Sequence, residues 1–86
     1  MGRFRYSVSI MPRDGILDPQ GRAVEAALPQ LGAESVSGVR VGRRVELSVD
    51  SSHEAQARAL VERLAAEILA NPLVEGWQID LLEGGA

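Results

Sequence analysis

The residues able to do chemistry are few. The 86-residue chain carries one histidine, His53, and no cysteine. A thiolate nucleophile, a disulfide and a cysteine zinc site are therefore excluded, and a two-histidine metal pair with them. A Ser-His unit would have to come from Ser51, Ser52 and His53. These residues open a predicted helix, where near neighbours in sequence point in different directions and the positive end disfavours an imidazolium. His53 reads as a solvated first-turn histidine. Asp14, Asp18 and Asp50 could act as general acid or base, but each sits at a turn or helix start, where a carboxylate accepts main-chain N–H groups. A phosphate cradle needs a glycine-rich loop running into a helix. Gly15-Ile16-Leu17-Asp18-Pro19-Gln20-Gly21 has glycines, but neither a Walker lysine nor G-x-G-x-x-G, and its aspartate opposes an anion. Phe4, Tyr6 and Trp77 are the only aromatics. The alternation of their strands turns all three inward, which leaves no stacking platform for RNA.

Composition narrows the remaining classes. The net charge is −3, so bulk attraction to nucleic acid is not expected. All nine basic residues are arginine, which reads as lineage bias rather than function. Hydrophobic residues make up 45 % and charged residues 24 %, the make-up of an ordinary globular domain. No apolar run is long enough to span a bilayer, and Met1 to Tyr6 lacks the apolar segment of a signal peptide, so a cytoplasmic location is expected. The length fits one domain, residues 1–86, with an ordered core over about 3–83. A chain this small buries only about 60 % of the surface its unfolded form exposes. With no disulfide or metal to help, oligomerisation is the expected support.

The elements that must position these residues read as follows. Phe4, Tyr6, Val8 and Ile10 alternate with Arg5, Ser7 and Ser9, a strand with one buried face that ends at Met11-Pro12. Asp18 is the expected N-cap and Pro19 the first residue of a helix with an apolar stripe at Val24, Ala27, Leu28 and Leu31. Pro29 predicts a kink or a frayed last turn, and Gly32 a left-handed cap. Two short strands are predicted at 36–41 and 44–49, joined by the loop Gly42-Arg43-Arg44, which sets Val41 opposite Val45, Val39 opposite Leu47 and Arg40 opposite Glu46. Ser51-x-x-Glu54 forms a capping box for a second helix. That helix carries Ala57, Leu60, Val61, Leu64, Ala65, Ile68 and Leu69 on one face and stops at Asn71-Pro72. Trp77, Ile79 and Leu81 alternate with Gln78 and Asp80 in a last strand, followed by a disordered tail from Glu83 to Ala86.

The order β-α-β-β-α-β predicts an α+β fold, a two-layer ferredoxin-like arrangement with an antiparallel sheet and two helices on one face. The alternative is a three-stranded core whose fourth strand pairs with a partner subunit. The last strand, about 77–82, is expected at or near a subunit contact, with Trp77, Ile79 and Leu81 giving it an apolar face that must be covered. The residues alone thus predict a small module with no catalytic, cofactor-binding or metal site.

Three stretches resemble a known family. Ile16 to Val24, with Leu17-Asp18-Pro19-Gln20-Gly21 at the helix entry, Val39 to Leu47 around the hairpin, and Leu69-Ala70-Asn71-Pro72 at the second helix end are similar, in order and spacing, to PurS. PurS proteins are the small subunits of phosphoribosylformylglycinamidine synthase in de novo purine biosynthesis. The likeness covers nearly all of residues 4–83. It implies that this chain is a non-catalytic subunit of a ligase complex that converts formylglycinamide ribonucleotide to its amidine with ATP and glutamine. A PurL-type synthetase would use the ATP and magnesium, and a PurQ-type glutaminase would release ammonia. The chain itself would bind no cofactor, nucleic acid or membrane, would form a homodimer or homotetramer, and would bridge the two larger subunits. Asp18, Pro19, Gln20, Gly21, Arg40, Gly42, Arg43, Asn71 and Pro72 carry over as motif positions. Two other classes compete. One is a regulatory dimer like ACT domains, which would bind a small effector. The other is an acylphosphatase-like enzyme; Arg13 lies in the loop after the first strand, but that family's glycine-rich surroundings are missing.

Overall fold

A computed structural model of the chain describes residues 2–84. The elements in order are β1 (Gly2–Pro12), α1 (Pro19–Ala27) followed by a 3₁₀ turn over Leu28–Leu31, β2 (Arg43–Ser51), α2 (Glu54–Leu64) followed by a π-helical turn over Ala65–Leu69, and β3 (Glu75–Glu83). The fold is α+β. Its antiparallel sheet has the order β2-β1-β3, with β1 in the centre. Tyr6 stands between Leu47 and Leu81, and Val8 between Val45 and Ile79, so the apolar residues of all three strands share one face.

The core lies between that face and α2. Phe4, Tyr6, Val8 and Ile10 from β1, Val49 from β2 and Ile79 from β3 are buried against Ala57, Val61 and Ala65. The spacing of those three helix residues is the i, i+4 stripe read from the sequence. The opposite face is polar and laced with ion pairs: Arg3 with Asp50 at 3.2 Å, and Arg5 and Arg44 with Glu46 at 3.3 and 3.1 Å.

Several expectations are met. Asp18 caps α1, Pro19 opens it, and Gly32 closes the 3₁₀ turn with a left-handed φ of 72°. Pro29 accounts for the change of helix type. It has no N–H to give the Glu25 carbonyl, so the N–H of Leu28 takes that carbonyl and tightens the turn. α2 ends before Asn71-Pro72, with the Ala70 N–H reaching back to the Ala65 carbonyl at 3.0 Å.

Four expectations are corrected. First, the sheet has three strands among the described residues, not four. Residues 36–42 join no ladder, and the predicted hairpin with Val41 opposite Val45 does not form. The Val41 N–H is spent on the Asp18 carboxylate, and Gly42 passes so close to the Ile10 carbonyl and the Met11 sulfur that the chain enters β2 already beside β1. Second, only one helix covers the sheet. α1 gives no side chain to the core. Third, β2 runs through Ser51, so the N-cap of α2 is His53 and the Ser51 hydroxyl stays near the His53 main chain. The capping box is absent. Fourth, Glu83 belongs to β3; of the expected tail, Gly85 and Ala86 lie outside the described residues.

The molecule is elongated. Its radius of gyration is 16.7 Å, against about 12 Å for a compact domain of this length. Its longest axis is 53 Å, whereas an 11-residue strand such as β1 spans about 36 Å. Residues 13–42, which hold α1 and the return chain, form an arm beyond one end of the sheet.

Core and surface leucine-sized residues should respond differently to truncation. Ile10→Ala should cost about 2–5 kcal/mol in urea unfolding, because Ile10 is fully buried. Leu73→Ala, at a residue 86 % exposed, should stay within about 0.5 kcal/mol.

Candidate functional site

The three motif stretches meet where the arm joins the sheet. Asp18 ends the loop after β1. Its Oδ1 accepts the Gly21 N–H at 2.9 Å and its Oδ2 accepts the Val41 N–H at 2.8 Å. One carboxylate thus caps α1 and fixes the return segment against it. Gly21 is buried at this contact, where a Cβ would sit 2.5 Å from the Val39 carbonyl oxygen. Next along the chain, Gly42 leaves no room for a Cβ beneath the Ile10 carbonyl. Arg40 turns outward and pairs with Asp14 at 2.8 Å in solvent, so it does not face Glu46 as the hairpin register required.

Arg43 begins β2 and makes the second half of the junction. Its guanidinium grips Glu75 through two bonds, 2.6 and 3.0 Å, and donates a third to the Leu69 carbonyl at 2.6 Å. Glu75 in turn accepts the Asn71 N–H at 2.7 Å. The Asn71 side chain accepts the Leu73 N–H at 3.1 Å, and its carbonyl takes the N–H of Glu75 at 2.8 Å. Pro72 is tied in through its carbonyl, which accepts from the Arg13 side chain at 3.0 Å. The end of α2, the start of β2 and the start of β3 are therefore one hydrogen-bonded unit. Pro19 and Gln20 lie exposed on the rim of the cleft between the two halves.

The electrostatics follow from these contacts. The Gly21 and Val41 N–H groups, helped by Arg40, hold the Asp18 carboxyl below the usual carboxylate range. The Arg43 hydrogen bonds and the Asn71 N–H do the same for Glu75, and Glu75 raises Arg43 further. Carboxylates held this firmly ionised make poor general acids, and their lone pairs already serve main-chain donors. Elsewhere, burial pushes the Tyr6 hydroxyl up, and its nearest partner is the Glu54 carbonyl at 3.5 Å. The Ser51 hydroxyl meets the His53 main chain and the Gln56 side-chain oxygen, not the imidazole, so no Ser-His unit is assembled there. Arg13 is spent on Pro72. Among the described residues, no group of three or more His, Asp or Glu is placed to hold a metal ion.

The residues expected at a subunit contact divide. Ile79 is buried in the chain's own core, Trp77 packs against that core, and Leu81 is 39 % exposed. β3 pairs with β1 of the same chain, which leaves its outer edge free among the described residues. Sequence reasoning missed Glu75. Its partner Arg43 lies 32 residues away, and no periodicity links positions so far apart.

What the fold and this junction define is a small α+β subunit-type module. Its marked residues bind main chain to main chain and leave the surfaces for contact. The family profile of PurS, phosphoribosylformylglycinamidine (FGAM) synthase, matches residues 5–83, and the chain belongs to that family. It is 39 % identical over 83 residues to the PurS subunit of phosphoribosylformylglycinamidine synthase from Synechocystis, covering 94 % of this chain and 83 % of that protein. It is 41 % identical over 75 residues to the corresponding subunit from Mycobacterium leprae, covering 87 % and 91 %. Among solved structures, it superposes on a chain of PurLQS from Thermotoga maritima with a TM-score of 0.87 at 27 % identity, covering 95 % and 100 %. Thermus thermophilus PurS matches with a TM-score of 0.76 at 36 % identity, covering 98 % and 96 %.

The junction should show in acid unfolding. Because the folded-state Asp18 carboxyl is depressed, its contribution is present above the unfolded value and fades as pH falls through the folded one. Asp18→Asn keeps one acceptor oxygen for Gly21 but sets an NH₂ against the Val41 N–H. Asn should therefore recover only part of the melting temperature lost in Asp18→Ala. The gap between the Asn variant and the unmodified chain should be widest above about pH 5 and close towards about pH 2. An equal gap at both ends would refute the charge-assisted clamp.

Proposed function

We propose that the chain is the small, non-catalytic subunit of phosphoribosylformylglycinamidine synthase. In this reading it assembles a PurL-type synthetase with a PurQ-type glutaminase for ATP- and glutamine-dependent conversion of formylglycinamide ribonucleotide to the amidine. The observation that carries the reading is end-to-end similarity to a chain of the Thermotoga maritima PurLQS structure, over 95 % of this chain and all of that one. The junction agrees with it. Its ionised groups are engaged with main chain, and what the motif stretches leave outside is contact surface: Pro19, Gln20, Arg40 and Pro72.

ATP and magnesium belong to the large subunit in this proposal, the ammonia comes from the glutaminase, and the work is done in the cytoplasm. No helix of the described residues is long and apolar enough to cross a membrane. The chain associates with itself as a homodimer or homotetramer. Both outer edges of its sheet are unpaired among the described residues, and such edges readily accept another strand. The motif positions Asp18, Gly21, Gly42, Arg43 and Asn71 shape the junction, and the exposed ones meet the larger subunits.

Reconstitution tests the function. Omitting the chain from a mixture of its own synthetase and glutaminase should abolish glutamine-dependent amidine formation, and adding it back should restore it. The isolated chain should show neither glutaminase nor ATPase activity. Full glutamine-dependent turnover without the chain would overturn the assembly role. Self-association predicts a melting temperature that rises with protein concentration.

A further inference from the structure

Sulfur is scarce in this chain. It has no cysteine and two methionines, and of these Met11 lies among the described residues. Met11 follows Ser7 and Ser9 along the polar face of β1, so it is an apolar side chain among polar strand neighbours. Both of its flanks are glycine. Gly76 of β3 is its register partner, and Gly42 lies on the β2 side, one residue before Arg43, the partner of Ile10. Glycines leave the main chain bare, and the flexible thioether fills the trough above it. A Cβ on Gly42 would overlap the Met11 sulfur as well as the Ile10 carbonyl oxygen. The sulfur is therefore seated on Gly42, where the arm enters the sheet. Next to Gly42 is Val41, whose N–H Asp18 holds at 2.8 Å. Met11 is nevertheless 39 % exposed, so small solutes have access to it.

We propose that Met11 is a site of reversible oxidation, and that its sulfoxide unseats Gly42 and loosens the arm. The oxidant class is a hydroperoxide. A sulfur lone pair takes the terminal peroxide oxygen, whose proton moves to the departing oxygen. An S–O bond forms, the O–O bond breaks, and the peroxide leaves as water or an alcohol. Sulfur is oxidised by two electrons and the peroxide is reduced by them. The side chain becomes polar and chiral. Its new oxygen only accepts hydrogen bonds, and on the glycine side it would meet the Ile10 carbonyl oxygen, another acceptor. The sulfoxide therefore turns to water and leaves the trough. Gly42 loses the atom packed on it, and the bond from Val41 to Asp18 loses its support. The core lies on the other face of the sheet and is untouched. Oxidation thus acts on the direction of the arm and not on the fold. The site stands independently of the assembly role proposed above; in the assembly, a loosened arm would hold the larger subunits less firmly.

The sequence makes oxidation easy to read. All nine basic residues are arginine, and trypsin releases Tyr6–Arg13 with Met11 as its only sulfur. The full-length chain is treated with hydrogen peroxide at neutral pH beside free N-acetylmethionine amide. That peptide should gain one oxygen at peroxide levels that oxidise the free amide. Exchange of the Val41 amide hydrogen should then be at least about tenfold faster, with Val8 in the core unchanged. Methionine sulfoxide reductases should reverse both effects. Met11→Leu keeps the apolar filling and should exchange like the untreated chain, with or without peroxide. Met11→Gln, polar and of similar length, should show fast Val41 exchange with no oxidant. A Tyr6–Arg13 peptide that stays unoxidised overturns the site, and a sulfoxide that the reductases leave in place overturns its reversibility. Oxidation with Val41 exchange unaltered, or a Leu variant that responds to peroxide as the parent does, overturns the coupling to the arm.

Discussion

One carboxylate sets the shape of this molecule. Asp18 holds the N–H of Gly21 with one oxygen and the N–H of Val41 with the other, and so binds a helix start to a chain segment more than 20 residues later. Had the Val41 N–H been free, residues 36–41 could have joined a ladder with β2 and completed a four-stranded sheet. Its capture makes those residues the return limb of an arm instead. The open outer edge of β2 and the long axis of the molecule go with that choice of acceptor. The close passage of Gly42 beneath Ile10 reinforces it, since any side chain there would push the arm off the sheet end.

Strands and helices were legible in the sequence where one period dominated. The alternation from Phe4 to Ile10 and the stripe through Ala57, Val61 and Ala65 were read correctly because burial on one face leaves a repeat that needs no knowledge of partners. Pro19, Pro29 and Gly32 were legible for a different reason: each forbids or favours a backbone state by itself. The hairpin failed because alternating valines at 39 and 41 satisfy a strand period whether or not a ladder partner exists, and the competing acceptor was a side chain 23 residues upstream. Ser51 failed in the same way. A capping residue must stand outside the preceding strand, and β2 runs through it. Of the junction, the motif positions were visible, but not Glu75, whose role depends on a contact across 32 residues.

The junction also explains how a motif can recur without marking chemistry. Asp18, Gly21, Gly42, Arg43 and Asn71 each answer a main-chain requirement: an N–H to be accepted, a carbonyl to be bonded, or space for a close passage. Removing charge from such positions alters geometry first. The surfaces beyond them, on the arm and along the sheet edges, are then held at fixed angles to the core. That is what a subunit needs when its task is to keep larger partners in register, and it agrees with the family to which the chain belongs.

The placement of β1 has a bearing on how the fold is reached. The central strand precedes both of its neighbours in the chain, and every ladder it makes spans more than 30 residues, with Ile10 waiting for Arg43 and Pro12 for Glu75. One long loop must close before the first ladder forms and a second before the sheet is complete, so the topology is one of high contact order and unhurried folding. Until β3 emerges, β1 presents Phe4, Tyr6, Val8 and Ile10 on a strand with at least one bare edge. A nascent chain of this design therefore keeps its central apolar strand incompletely paired until its last strand is available.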